Sequence, residues 1–344
     1  MKALVIPNKN RPLEWRDVDD LRAGPGEAIV RVHAAALNHR DVWIQRGQYA
    51  GLRYPIVVGS DGAGVVASVG SGPDDDVDAV AREAALAWIG KEVILDPALH
   101  WGANPAFQDP TGFGVLGLPD DGTLAEYVKI PVRNLVEKPA HLSFVEASAL
   151  PLAGATAYRA LITRARLCPG ERVLITGIGG GVALFAMQMA IAAGAKVFVT
   201  SGSDEKLANA LNMGANGGVN YKHTAWVEAL RSIAGGFDVI LDGAVGDSMS
   251  DLLDLALPGA RLVIYGATRG NPSNVVVRRI FWKQLNVLGS TMADPEDFRA
   301  MASFVSNHGI KPVVDKVYPP REGEAAFRRL EEGLQFGKIV IGMS

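Results

Sequence analysis

The stretch RVLITGIGGGVALFAMQMAIAAGAKVFVTSGS at residues 172–203 constrains this chain more than any other. A strand-length apolar run leads into clustered glycines. A helix-length apolar run follows, then a second strand. The same alternation continues through EKLANALNMG, FDVILDGAV, LLDLALPG, RLVIYGAT and VLGST. From about Leu150 onward, strands alternating with helices are the signature of a parallel sheet with crossover helices.

The earlier part has a different texture. Short apolar runs at residues 3–6 and 28–32 are broken by Pro and Gly, which predicts β structure. The Val- and Gly-rich segment PIVVGSDGAGVVASVG predicts a bent strand pair with closely approaching backbones. Asp74, Asp75, Asp76 and Asp78 precede a helix-like stretch at 79–90 and read as a solvated loop that favours its N-terminus. A calcium site there is the weaker alternative, since consecutive acids rarely converge on one cation. After Met292 come a helix, the run VVDKVYP, a second helix (GEAAFRRLEEG) and a terminal apolar run. At 344 residues the chain suits two domains, expected at 1–150 with 292–344 and at 151–291.

Charge and composition exclude several classes. The formal net charge of −3 offers no broad basic field for nucleic acid or an anionic membrane. No apolar run has the roughly 18 residues of a membrane span. One cysteine, Cys168, allows neither an intramolecular disulfide nor a Cys-based zinc site. It sits in a Pro-Gly turn and reads as structural. A cytoplasmic protein is expected.

Clustered glycines between a strand and a helix permit a tight turn and let a pyrophosphate reach the helix N-terminus, where free N–H groups and the dipole favour an anion. The strict G-x-G-x-x-G pattern is not met. The best register is Ile178-Gly179-Gly180-Gly181-Val182-Ala183, with Ile at the first glycine and Ala at the last. The second strand bears on which nucleotide is bound. An acid at its end holds the ribose 2′-hydroxyl of NAD. Here it ends at Thr200 and Ser201, small hydroxyls that accommodate a 2′-phosphate, while Asp204 and Glu205 start the next helix. NADP(H) is therefore expected over NAD(H), with Lys206 one turn on to pair with the phosphate or simply to face solvent.

Eight blocks then carry a family resemblance along nearly the whole chain: AAALNHRDVWIQRGQY, PIVVGSDGAGVVASVG, DGTLAEYVKIP, LPLAGATAYRALI, the glycine loop, GSDEKL, GGVNYK and LGST. In this order and spacing they resemble the medium-chain dehydrogenase/reductase superfamily of zinc alcohol dehydrogenases and quinone oxidoreductases. The resemblance implies an α/β chain with a Rossmann doubly wound parallel sheet and a GroES-like β-rich catalytic domain. It also implies an active site in the cleft between them and a homodimer joined through the sheet edge after Val287.

The departures matter as much. Zinc members carry Cys where this chain has Asn38, and His-Glu where it has Ser60-Asp61. Their structural-zinc lobe corresponds to DPALHWGANPAFQDPTGF, with Trp101, Asn104 and Phe107 near the cysteine positions. His39, His100 and Asp61 do not make a three-ligand set at any zinc spacing. No zinc is expected. Without that Lewis acid the chemistry suits electron-poor acceptors, quinones or α,β-unsaturated carbonyls.

By the same resemblance, Asn38, Trp43 and Tyr49 surround the nicotinamide and substrate. Asn38 hydrogen-bonds ribose or acceptor, or merely caps a loop; Tyr49 forms a wall more readily than it donates a proton. His39 is a solvated or structural histidine ahead of a general acid, and Asp41 orients its neighbours. Thr156 lies beside the nicotinamide, and Gly180, Gly181 and Val182 line the pyrophosphate. Lys206 and Tyr221 hold the 2′-phosphate; Tyr221 as a plain strand-end aromatic is the alternative. Gly289 and Ser290 meet the carboxamide, and Tyr265, Gly266 and Ala267 face the cofactor. Two other functions stay open: a zinc-free alcohol or aldehyde dehydrogenase, and a non-catalytic NADPH-binding sensor.

Overall fold

The computed structural model describes residues 1–70 and 79–343, the side chains of 79–82 excepted. The four clustered aspartates lie outside the described residues. The chain divides into two compact units, Met1–Leu152 with Asp294–Ser344, and Ala153–Ala293.

In the first unit β1 (Lys2–Ile6) pairs antiparallel with β2 (Glu14–Asp17). The long β3 (Glu27–Ala36) leads into α1 (His39–Gln45). The expected strand pair at 55–70 forms as two strands that do not pair with each other. β4 (Ile56–Val57) joins β1, and β5 (Asp61–Val69) joins β3. The cause lies at Gly59, whose φ of +102° turns the chain from one sheet to the other. The close approach is real: a Cβ on Gly64 would sit 2.0 Å from the Arg31 carbonyl oxygen. Next come α2 (Ala79–Leu86), β6 (Glu92–Leu95), the hairpin of β7 (Ala98–Leu99) and β8 (Gly114–Val115), β9 (Tyr127–Pro131), β10 (Leu135–Glu137) and α3 (Phe144–Ser148). Ser143 and Glu146 form a capping box at the start of α3.

α4 (Pro151–Tyr158) runs into a π-helical turn over Arg159–Arg164 and opens the second unit. There β11 (Arg172–Ile175), α5 (Gly181–Ala192), β12 (Lys196–Ser201), α6 (Asp204–Asn212) and β13 (Gly217–Asn220) make one half. α7 (Trp226–Ala234), β14 (Phe237–Asp242), α8 (Met249–Leu255), β15 (Ala256–Ile264), α9 (Val277–Trp282) and β16 (Asn286–Gly289) make the other. All six strands are parallel in the order β13-β12-β11-β14-β15-β16, the doubly wound order that reverses beside the first strand. α5 is apolar on nearly every face and correspondingly buried, with Leu184, Phe185, Met187 and Met189 at most 2% exposed.

The tail returns to the first unit. α10 (Pro295–Asn307) starts where the Asp294 carboxylate accepts from the Glu296 and Asp297 N–H groups, with Pro at its first position. β17 (Val314–Tyr318), α11 (Gly323–Glu331) and β18 (Lys338–Gly342) follow. β18 pairs antiparallel with β3, so the last strand becomes a central one of a seven-stranded sheet. No helix among the described residues is long and apolar enough to cross a membrane.

Candidate functional site

In the second unit the carboxyl ends of β11, β12 and β14 converge around the glycine loop. The backbone corrects the register read from sequence. Gly177 and Gly179 take φ of +66° and +124°, conformations that L side chains rarely adopt. The G-x-G element is therefore Gly177-Ile178-Gly179, one residue earlier than expected, and Val182 stands at the third position. The overlooked signal was the Thr-Gly directly after the strand. Gly180 is extended and caps α5, which begins at Gly181, with Val182 in its first turn. A Cβ on Gly177 or Gly180 would meet nothing within 4 Å, so the cradle before the helix N-terminus is open. That opening, with the free N–H groups of the first turn, fits a pyrophosphate.

Ser201 departs from expectation. Its side chain is buried, donates to the Ile178 carbonyl at 3.4 Å and accepts the Ser203 N–H at 3.2 Å. The hydroxyl thus ties the glycine loop to the end of β12 and is not presented to a ligand. Ser203 caps α6 by accepting from Lys206 N–H, and the Lys206 stem lies over Gly179. The Tyr221 phenol leans over Gly202. Lys206 and Tyr221 are therefore gathered at the end of β12.

At the other end of the sheet, Tyr265 turns its ring onto Gly243, where an added Cβ would lie 2.6 Å from the ring. Burial, then the nearby Asp242 carboxylate, raise its phenol pKa. Gly266 backs onto the Gly243 carbonyl and Ala267 is exposed. The Gly289 carbonyl accepts from Arg164 Nε at 2.9 Å. Ser290 Oγ, at the end of β16, is buried with no hydrogen-bond partner. An orphaned hydroxyl there fits a ligand amide. Thr156 is buried on α4.

The first unit holds a buried polar network. Lys338 on β18 donates its three ammonium protons to Leu37 O at 2.7 Å, Asn38 Oδ1 at 2.6 Å and Asp61 Oδ2 at 2.8 Å. Asn38 Nδ2 donates to the same Asp61 oxygen at 2.9 Å, and Asp61 Oδ1 accepts from Leu152 N–H at 2.7 Å. Asp61 is fully buried and Lys338 is 5% exposed. The amide of Asn38 is therefore committed at both ends, which corrects its expected role as a hydrogen-bonding partner of ribose or acceptor. Lys338 was absent from the sequence reading because nothing in a lone lysine of a terminal apolar run marks it.

Beside this network, Arg40 Nη1 donates to Ser60 Oγ at 2.6 Å and to the Leu116 carbonyl at 2.7 Å. Its guanidinium carbon stands 5.1 Å from the centre of the Tyr49 ring. Asp41 is fully buried. Its Oδ2 accepts the Asn38 N–H while Oδ1 has no partner, and burial pushes its pKa up to about 6. His39 and Trp43 lie on α1 with their rings 6.2 Å apart. Both reach solvent, yet the density of protein around His39, then the Lys338 charge, hold its pKa below the usual histidine value.

These residues do not fit a zinc ion. The position of the Cys ligand holds an amide already bonded to an ammonium, and the carboxylate beside it neutralises that ammonium. Ser60, at the histidine position, accepts from Arg40. Among the described residues no group of three His, Cys, Asp or Glu side chains is placed to hold a metal. The lobe at 96–113 is closed by other means. Trp101 is buried, packs edge-on against Phe113 at 5.6 Å and donates to Asn104 O at 3.0 Å. Asp109 Oδ1 gathers Thr111 N, Thr111 Oγ1 and Gly112 N. Phe107 is exposed.

Comparison with known proteins matches residues 24–140 to the alcohol dehydrogenase GroES-like domain and residues 181–307 to the zinc-binding dehydrogenase model. The zinc-type alcohol dehydrogenase-like protein YogA of Leptosphaeria maculans is 34% identical, covering 96% of this chain and 94% of its own. Acryloyl-coenzyme A reductase of Metallosphaera sedula is 27% identical over 99% of both. A solved NAD-dependent alcohol dehydrogenase superposes with a TM-score of 0.89 at 36% identity, covering 99% of each chain.

Proposed function

The chain belongs to the medium-chain dehydrogenase/reductase superfamily of oxidoreductases, and from that premise we propose that it is a zinc-independent, NADP(H)-dependent reductase of quinones or α,β-unsaturated carbonyls. One observation carries the zinc-independence: the Lys338 ammonium sits between Asn38 and Asp61, where a metal would need their lone pairs. A fixed cation inside the site repels a second one and leaves no Lewis acid to polarise an alcohol or simple carbonyl.

The bound nicotinamide supplies the hydride, and acceptors that are already electron-poor need no metal to take it. Gly177, Gly179, Gly180 and the first turn of α5 would hold the pyrophosphate. Ser290 Oγ would meet the carboxamide, and Lys206 and Tyr221 the adenosine 2′-phosphate. β12 ends in Thr200 and Ser201 and not in an acid, and the Asp204 carboxylate that follows is bonded to Asn220 Nδ2. Tyr49 and Trp43 would wall the substrate. The name of the Metallosphaera sedula relative, a reductase of an activated alkene, supports this substrate class. The alcohol dehydrogenase names of the other two support the second assignment, an alcohol or aldehyde dehydrogenase working without zinc. The cytoplasm suits the exposed, unpaired thiol of Cys168.

A titration of the metal-stripped protein with NADPH and NADH, followed by turnover on quinones and enones with and without a chelator, tests the proposal. NADPH is expected to bind more tightly, and a chelator to leave turnover unchanged. Tighter binding of NADH, or activity restored only by added zinc, would overturn it.

We further propose a homodimer. β16 is an edge strand, and the preceding α9 exposes Phe281 at 64% and Trp282 at 80%. An uncovered strand edge beside large apolar side chains pairs readily with a second copy across a two-fold axis. Light scattering at micromolar concentration is expected to give the dimer mass, and Trp282→Glu the monomer mass. A monomeric wild-type protein would count against it.

A further inference from the structure

Two cations beside the β12 end remain without a role. Lys222 follows Tyr221 after β13, and Arg269 lies on the loop after β15, more than forty residues further along the chain. The geometry brings both to Tyr221. A Cβ on Gly202 would meet Tyr221 Oη at 2.7 Å and Lys222 Cε at 3.0 Å, so glycine at this turn is what lets the phenol and the lysine stem converge over it. The Arg269 guanidinium stands 6.0 Å from the centre of the Tyr221 ring, on a side chain that is exposed. Tyr221 and Arg269 both line a cavity of about 440 Å3, with Thr176, Gly177, Thr200 and Trp226. Its floor is the carboxyl ends of β11 and β12, where an adenosine belongs in a doubly wound sheet.

Of Asp204, Asp242, Asp247 and Asp251, the first three are bonded elsewhere: the Asp242 carboxylate accepts from Thr176 Oγ1 and from the Ala244 and Val245 N–H groups. Asp204 accepts from Asn220 Nδ2 at 2.8 Å. Asp247 accepts the Ser273 N–H at 3.0 Å and its hydroxyl at 2.5 Å. Those bonds, with a smaller contribution from Arg269, hold the Asp247 pKa low. Asp251 also lines the cavity.

We propose that Arg269 and Lys222 are specificity-determining residues that grip the adenosine 2′-phosphate, with Tyr221 as the platform that aims the guanidinium. This rests on the NADP(H) assignment made above and adds two residues to it. A guanidinium presents paired N–H groups to two phosphate oxygens, and a lysine adds a point charge. Together with Lys206 they frame the phosphate with three positive charges drawn from three different turns. A ligand lacking the phosphate would have no use for either residue.

The test is calorimetric binding to the full-length protein, with four probes: NADPH, NADH, adenosine 2′,5′-bisphosphate and adenosine 5′-monophosphate. Arg269→Ala is expected to weaken NADPH and the bisphosphate about tenfold while changing NADH and the monophosphate by less than about twofold. Lys222→Ala should do the same less strongly, and Arg269→Lys should recover part of the loss. The salt dependence of NADPH binding should flatten in each alanine variant. Equal weakening of all four probes would mean a packing role and overturn the assignment, as would no change in any. Wild-type protein that binds NADH as tightly as NADPH would overturn the NADP(H) assignment as well. A wild-type preference for NADPH that survives both alanine variants overturns only the roles of Arg269 and Lys222.

Discussion

Lys338→Met is expected to destabilise the first unit by about 3–5 kcal/mol, the cost of leaving one partner of a buried ion pair without the other. Methionine matches the lysine stem in length and leaves the packing of β18 nearly intact, so the loss measures charge. In the variant Asp61 keeps the N–H groups of Asn38 and Leu152 but loses its counterion inside the fold. Adding Asp61→Asn to Lys338→Met removes the stranded charge and should restore a good part of the stability. Urea unfolding of the two variants reads this directly. A double variant no more stable than the single one would show that the network acts through shape. The same comparison bears on zinc-independence, since an ammonium this tightly held cannot yield its place to a metal without the same cost.

Gly179→Ala is expected to lower NADPH affinity by about 10- to 100-fold, with a smaller loss for NADH. Two effects act together. A φ of +124° strains any residue with a Cβ by about 1–3 kcal/mol. The new Cβ would also lie 2.8 Å from Lys206 Cδ and push that side chain off the loop. The first effect disturbs the pyrophosphate turn for either nucleotide. The second would remove a cation that, on the proposed NADP(H) assignment, only the 2′-phosphate needs. Fluorescence titration with the two nucleotides separates them, and an equal loss for both would assign the whole effect to the turn.

The contrast between these two positions shows what a sequence can carry. Gly179 was legible because its neighbours were: the strand, the glycines and the helix follow one another within a few residues, and the periodicity of each is written locally. Even so, the register was read one residue late. Three consecutive glycines offer several equivalent frames, and only the left-handed φ of Gly177 and Gly179 selects one. Ser201 was correctly placed at the end of its strand but assigned outward. The direction of a strand-end hydroxyl depends on whether a carbonyl is near, and here Ile178 supplies it.

Asn38 fared differently. Its identity showed an amide where the resemblance implies a cysteine, and Ser60 and the cysteine-free 96–113 lobe pointed the same way. Its bonding was beyond reach, because Lys338 Nζ arrives from 300 residues away. Arg269 is a similar case: only the folding of β13 and β15 into one sheet places its guanidinium against Tyr221.

By itself, then, the sequence determined the parallel sheet with its crossover helices and the family, since each of these follows from residue type and local spacing. Tertiary structure alone decided which side chains meet: that Lys338 closes the site around Asp61, that Trp101 and Asp109 secure the lobe, and that Lys222 and Arg269 converge on one ring. The physical reason is the range of the forces involved. Helical and strand periodicity is written every two to four residues, whereas an ion pair or a cation over an aromatic face depends on distances through space that chain separation does not encode.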